Sequence, residues 1–196
     1  PIGLSGITEP GRTRPILVAR RNPPNMIVWL IGLSGAGKTT IGKCLYDKIK
    51  PENSNLVFLD GDNLRDVWGD SLGHTIEARN VNAHRISNLC RMLDKQGISV
   101  IAAVLSMFPD WQNWNRQNFS EYFEVFLDAP PDLLRERDSK GLYAGAEAGT
   151  IENVVGVDLP FPRPAAPDLT IGGDMLRQSP NSIADRIVDA VPRKLG

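Results

Sequence analysis

The sequence is poor in cysteine and histidine, with two of each in 196 residues. Cys44 and Cys90 sit among apolar residues in expected helices. They read as reduced, buried thiols, not as a disulfide framework. His74 and His84 have no Cys or His neighbour at metal-ligand spacing, which argues against a zinc site. Excess charge of either sign is also missing: 22 basic residues face 23 acidic ones, for a net charge of −1. That balance gives no global field to draw in nucleic acid or an anionic membrane, so any anion site must be local. No apolar run approaches the roughly 20 residues that span a bilayer. The first 25 residues carry no apolar segment of the kind a secretion signal needs. A cytoplasmic protein without membrane or nucleic-acid partners is expected.

Hydrophobic residues make up 41% of the chain. That suits one well-filled domain, and the length is too short for two. Residues 1–25 are rich in Pro, Gly and Arg and show no period. They read as an extended arm or linker, with Arg12, Arg14, Arg20 and Arg21 as solvated charges. The domain proper is expected over 26–196. Apolar strands are expected at Met26–Ile31, Leu56–Asp60, Ile98–Ser106, Tyr122–Asp128 and Asp168–Ile171. Helical patterns separate them at Lys38–Ile49, about Ile76–Lys95, near Trp111–Asn118 and from Pro131 to about Arg137. A last helix is expected over Ser182–Val191, capped by Asn181. Strands rich in Val, Ile and Leu that alternate with helices imply an α/β fold, a parallel sheet with helices on both faces. The stretch 139–167 lacks a strong period and is too long for an ordinary loop. Segments of that kind often form mobile lids over active sites.

The residues Gly32-Leu33-Ser34-Gly35-Ala36-Gly37-Lys38-Thr39 match the pattern G-x-x-x-x-G-K-[ST]. Glycines let consecutive backbone N–H groups close around an anion, and the next helix aims the positive end of its dipole at the same point. Lys38 is placed to neutralise β/γ-phosphates and the Thr39 hydroxyl to coordinate Mg²⁺. A chance match is expected about once in a hundred chains of this length. The position directly after an apolar strand and at the start of a helix makes chance less credible still. This is a P-loop, so the fold expected is the three-layer P-loop NTPase fold, with Gly32, Ser34, Gly35, Ala36, Gly37, Lys38, Thr39 and Thr40 on the nucleotide.

The second strand ends in Leu59-Asp60-Gly61-Asp62-Asn63-Leu64-Arg65. Carboxyl ends of parallel strands face the ligand crevice. One of the two carboxylates can hold Mg²⁺ or its waters, and the other can accept the proton of an attacking hydroxyl. The bland alternative is an Asp-rich turn that caps a helix. The third strand ends in Ser106, so the acidic position often found there is absent, which places more weight on Asp60 and Asp62. Arg65 can clamp an acceptor phosphate bidentately. Arg79, Asn82 and Arg85 share one broad helix face, which is otherwise an ordinary solvated surface. Trp111 and Trp114, three apart, are more often core than base-stacking residues.

Together these segments resemble adenylylsulfate (APS) kinases from about Met26 to Ile171. The resemblance rests on GLSGAGKTT, LDGDNLR, the R-x-x-N of Arg79 and Asn82, Ser106, and RDSKGLY followed by GTIENVVGVD. It implies transfer of the ATP γ-phosphoryl group to the 3′-hydroxyl of APS, giving PAPS and ADP, with Mg²⁺. It implies Asp60 and Asp62 at the metal and the hydroxyl. Arg65, Arg79 and Asn82 would bind the acceptor, Ser106 would stand at the family's active-site serine, and Arg137 would pack on the ATP base. Lys140 and Leu142 would belong to a lid that encloses the acceptor. A homodimer and a place in sulfate assimilation are expected.

Three positions depart from the family pattern. His74 stands where an aromatic usually stacks on the acceptor base. Met107, Phe108, Pro109 and Asp110 follow Ser106 in place of Pro, an aromatic and Arg. Ala144-Gly145-Ala146-Glu147 replaces a Lys-rich lid. Arg116 is a candidate for a displaced cation. The segments LGHTIEARNVNAHRIS and WNR also resemble cytidine diphosphoramidate kinases, which offers a second acceptor. A non-catalytic nucleotide-binding module is the alternative from another class.

Overall fold

The computed structural model describes residues 25–69 and 72–192. The expected arm and its arginines Arg12, Arg14, Arg20 and Arg21 therefore lie outside the described residues. Strand β1 (Ile27–Ile31) is buried along its whole length. Its side chains alternate between the two faces of the sheet. Val28 and Leu30 enter one apolar cluster, and Ile27, Trp29 and Ile31 enter the other. Strands β2 (Leu56–Asp60), β3 (Ser99–Val104), β4 (Tyr122–Asp128) and β5 (Leu169–Gly172) complete the sheet. All pairings are parallel, in the order β2-β3-β1-β4-β5. In register, Leu30 lies opposite Ala103 of β3 and Val125 of β4.

Helices cover both faces, as the alternation of the sequence requires. On the first face, α1 (Lys38–Ile49) and α7 (Pro180–Ala190) bury Ile41, Leu45, Ile183 and Ile187. The short helices α5 (Pro131–Glu136) and α6 (Leu142–Glu147) add Leu133, Leu134 and Tyr143 to that cluster. On the second face lie α2 (Gly61–Val67), α3 (Ile76–Asp94) and α4 (Pro109–Asn118). Leu64 of α2 and Ile86 and Cys90 of α3 are buried there, and Trp114 of α4 packs against them. Among the described residues no helix is long and apolar enough to cross a membrane.

Several boundaries differ from expectation. Helix α7 begins at Pro180 and is capped by Ser179, whose hydroxyl accepts from the Ser182 amide at 3.2 Å. Asn181 is therefore inside the helix. Proline, with no N–H and a fixed φ, takes the first helical position and so draws the cap to the residue before it. Strand β3 stops at Val104, and Ser106 leaves it with a φ of 53°. Helix α6 falls inside the stretch expected to lack regular structure. Cys90 is buried as expected, but Cys44 is only half-buried. Burial pushes the Cys90 thiol up, so it stays protonated and unreactive. Trp114 packs against the second cluster. Trp111 instead stacks on His84, with ring centroids 4.9 Å apart, and donates to Asn80 Oδ1 at 2.8 Å.

Candidate active site

Strands β1 and β3 are neighbours, yet the chain leaves β1 into α1 on the first face and leaves β3 into α4 on the second. The two connections part above the sheet and open a crevice at the carboxyl ends of the strands. The loop Gly32–Gly37 sits in that crevice. A Cβ on Gly32 would lie 2.9 Å from the Leu127 carbonyl, and Gly37 holds a φ of 95°. Both places therefore need glycine, the first for close packing and the second for a left-handed backbone. Ser34, Gly35, Gly37, Lys38, Thr39 and Thr40 line a cleft of about 720 Å³, with Arg137 toward one end. Gly32 and Ala36 are buried beneath them.

The acidic segment faces the same cleft. Thr39 Oγ1 donates to Asp60 Oδ2 at 2.6 Å. Asp60 Oδ1 accepts from the Asp62 amide at 2.9 Å and from the Asn63 amide at 3.4 Å. Asp60 thus does two things: it caps α2, as the bland reading held, and it turns its other oxygen to the P-loop threonine. Paired hydroxyl and carboxylate oxygens suit a hard divalent ion such as Mg²⁺, which takes few protein ligands and keeps waters and phosphate oxygens as the rest. Asp62 is exposed and meets Lys140 Nζ at 2.5 Å.

Charge in the cleft is finely set. Burial pulls the Lys38 ammonium down to about 8, against the carboxylates of Asp62 and Asp60, which favour its charge. Partial desolvation at the cleft edge would by itself raise the Asp62 carboxyl; the hydrogen bond and charge of Lys140, with Lys38 and Arg65, outweigh it and hold Asp62 below its usual value. Burial and the nearby Arg65 lower Arg79. Asp62 is consequently ionised at neutral pH. Lys38 carries its proton below about 8 and loses it above. The profile of kcat/KM for ATP is expected to fall on its basic side with a midpoint near pH 8, since this parameter reports groups of the free enzyme. Initial rates between pH 6 and 10 measure it, and a profile flat to pH 10 contradicts it.

The segment 139–167 closes one side of the cleft. Asp138 accepts from the amides of Leu142, Tyr143 and Ala144, at 2.8, 2.9 and 3.0 Å, and so starts α6. Tyr143 is buried, and its hydroxyl donates to the Ser34 carbonyl at 2.8 Å. Burial and Asp138 push that phenol up to about 12. Arg79 Nη2 donates to the Asn153 carbonyl at 2.8 Å, and Arg79 Nε to the His74 carbonyl at 2.8 Å. Asn153 itself has a φ of 64°. Tyr143 and Asn153 were not singled out in the sequence. The Tyr of RDSKGLY is the available signal for the first, and the Asn of GTIENVVGVD for the second.

The remaining candidates divide by place. Lys140, Leu142, Arg65, His74 and Arg79 line the main cleft. Arg137 Nη2 donates to the Leu176 carbonyl at 2.6 Å, which fixes its guanidinium at that end. Lys38 Nζ donates to the Leu33 carbonyl at 2.8 Å. Asn82 and Ser106 line a smaller adjoining space, and the Ser106 hydroxyl accepts from Trp29 Nε1 at 3.0 Å. Arg116 does not supply the displaced cation. It pairs with Asp168 at 3.1 Å and lies over the Tyr122 ring, because Asp168, just before β5, is held beside β4 by the Glu124 amide at 2.8 Å. Arg85 lies over Trp68 and lines neither space.

A P-loop beside a carboxylate pair, on a five-stranded parallel sheet, defines a P-loop phosphotransferase. The profile of the adenylylsulphate kinase family matches residues 24–172, and the chain belongs to that family. It is a kinase that transfers a phosphoryl group to a hydroxyl acceptor. It is 41% identical over 152 residues to the cytidine diphosphoramidate kinase of Campylobacter jejuni, covering 78% of this chain and 87% of that one. It is 37% identical over 164 residues to the adenylyl-sulfate kinase of Pseudomonas aeruginosa, covering 83% of each. The solved APS kinase of Mycobacterium tuberculosis, in complex with AMPPNP and APS, superposes with a TM-score of 0.77 at 33% identity. That match covers 86% of this chain and 98% of the other.

Proposed function

We propose that the chain transfers the γ-phosphoryl group of ATP to the 3′-hydroxyl of adenylylsulfate, giving PAPS and ADP. The reading is carried by one arrangement: Lys38, Thr39, Asp60, Asp62 and Lys140 face a single cleft whose floor is the P-loop. Backbone amides of the loop bind the polyphosphate, and Lys38 exchanges its bond to Leu33 for phosphate oxygens. Asp62 accepts the proton of the acceptor hydroxyl. Arg65 and Arg79 orient the acceptor through its anionic group. Thr39 and Asp60 would hold Mg²⁺, which when bound spreads the charge of the transferred group.

A second acceptor, cytidine diphosphoramidate, is favoured by the Campylobacter relative and by the changes at His74, Met107 and Phe108. A coupled ADP-release assay with each acceptor separates the readings. Release that depends on adenylylsulfate is expected. Release with the cytidine conjugate alone removes adenylylsulfate as acceptor and leaves the kinase chemistry. No release with either returns the chain to the non-catalytic nucleotide-binding alternative.

A further inference from the structure

Beside the main cleft lies a chamber of about 90 Å³, beneath α3 and the loop after β3. Asp62, Arg65 and Arg79 line both spaces and form their shared mouth. Trp29, Ile86, Phe108 and Trp111 give the chamber apolar walls. Away from the charged mouth, three polar side chains interrupt that lining: Ser106, which already accepts from Trp29 Nε1, and Asn82 and Ser87. Asn82 is 9% exposed and Ser87 is 0% exposed. Asn82 Oδ1 and Ser87 Oγ are buried with no hydrogen-bond partner. A serine inside a helix has an easy partner in the carbonyl four residues back, here Ala83. Ser87 makes no such bond. A buried hydroxyl without a partner destabilises the fold relative to alanine at the same place. Its retention at the lining of an open chamber points to a ligand group that completes it.

The shape of the site says which group. On the proposed reading of the cleft, the acceptor hydroxyl would lie at Asp62 and the two guanidinium groups at the mouth would hold the acceptor's α-phosphate. What is attached beyond that phosphate then enters the chamber. We propose that Ser87 is a specificity-determining residue that hydrogen-bonds the tetrahedral terminal group of the acceptor. Its hydroxyl both donates and accepts, so it can bind an oxygen of a sulfate or of a phosphoramidate. An amidate N–H would in addition satisfy Asn82 Oδ1. The inference rests on the kinase reading of the cleft.

Calorimetric titrations with saturating ADP and Mg²⁺ test it without turnover. Two pairs are compared: adenylylsulfate with adenosine 5′-monophosphate, and cytidine diphosphoramidate with cytidine 5′-monophosphate. The terminal group is expected to tighten binding in at least one pair. Ser87→Ala is expected to cut that gain about tenfold and to leave the monophosphates unchanged. A loss in the first pair assigns the chamber to sulfate, and a loss in the second assigns it to the amidate. If Ser87→Ala does not fold, Ser87→Thr keeps the hydroxyl and puts a methyl into the chamber, and it is expected to weaken the conjugates alone. Equal weakening of conjugate and monophosphate overturns the proposal. So does a variant with the gain intact, or a wild type with no gain in either pair. Failure of the kinase reading looks different: wild type that shows the gain yet releases no ADP from ATP with either conjugate.

Discussion

Replacing Lys38 with alanine is expected to lower acceptor-dependent ADP release by about 10²–10³-fold, the usual cost of losing one preorganised charge at a reacting group. The ammonium sits at the bottom of the cleft, where burial weakens its hold on the proton and the carboxylates of Asp62 and Asp60 strengthen it. A cation poised this way interacts strongly with phosphate oxygens because little water screens it. The fold is expected to survive. Lys38 is the first residue of α1, where a positive charge opposes the helix dipole. Its one hydrogen bond, to the Leu33 carbonyl, belongs to the loop and not to the core. Circular dichroism and a thermal melt close to wild type, together with the lost turnover, are the expected pair of results. Normal turnover contradicts the role assigned to the P-loop.

Asp62→Asn is expected to lower kcat by about 10²–10⁴-fold, the range for removing a general base, with KM for ATP within about twofold. Asparagine keeps the shape of the side chain and still accepts from Lys140. It loses the negative charge and the capacity to take the acceptor's proton. Asp60→Asn makes a useful contrast. Asp60 is buried, and its two oxygens serve Thr39 and the start of α2. That change is expected to lower thermal stability as well as activity, whereas Asp62→Asn leaves the melt unchanged. Single-turnover rates and melting curves for the two variants distinguish a proton acceptor from a positioning carboxylate. Equal behaviour of the two would remove Asp62 from that role.

Local chemistry made much of this legible in advance. Lys38–Ile49 and Leu56–Asp60 coincide with α1 and β2: Pro51 lies just past the end of the first, and the Asp60 side chain caps the helix that follows the second. The P-loop was readable because glycines, the lysine and the threonine act through adjacent atoms. Helix α2 is not legible in the sequence, and the reason lies in Asp60: the same side chain that reads as a metal-holding carboxylate also caps seven helical residues. Helix α6 was hidden because its six residues have little amphipathic period and depend on Asp138 and on Tyr143 reaching the P-loop. The place of Arg116 is hidden for a related reason. Its partner Asp168 is 52 residues away, and no spacing rule reaches across such a distance.

By itself the sequence determined the elements with short-range causes: the buried strands, the phosphate-binding loop, the carboxylates at the end of β2 and the family. The tertiary structure alone decided the strand order, the docking of α6 on Ser34, the capture of Arg79 by Asn153, and the chamber that leaves Asn82 and Ser87 unpartnered. The physical reason is range. Backbone geometry and side-chain periodicity act over a few residues, and a hydrogen bond between positions 79 and 153 exists only once the packing of two sheet faces has brought them together.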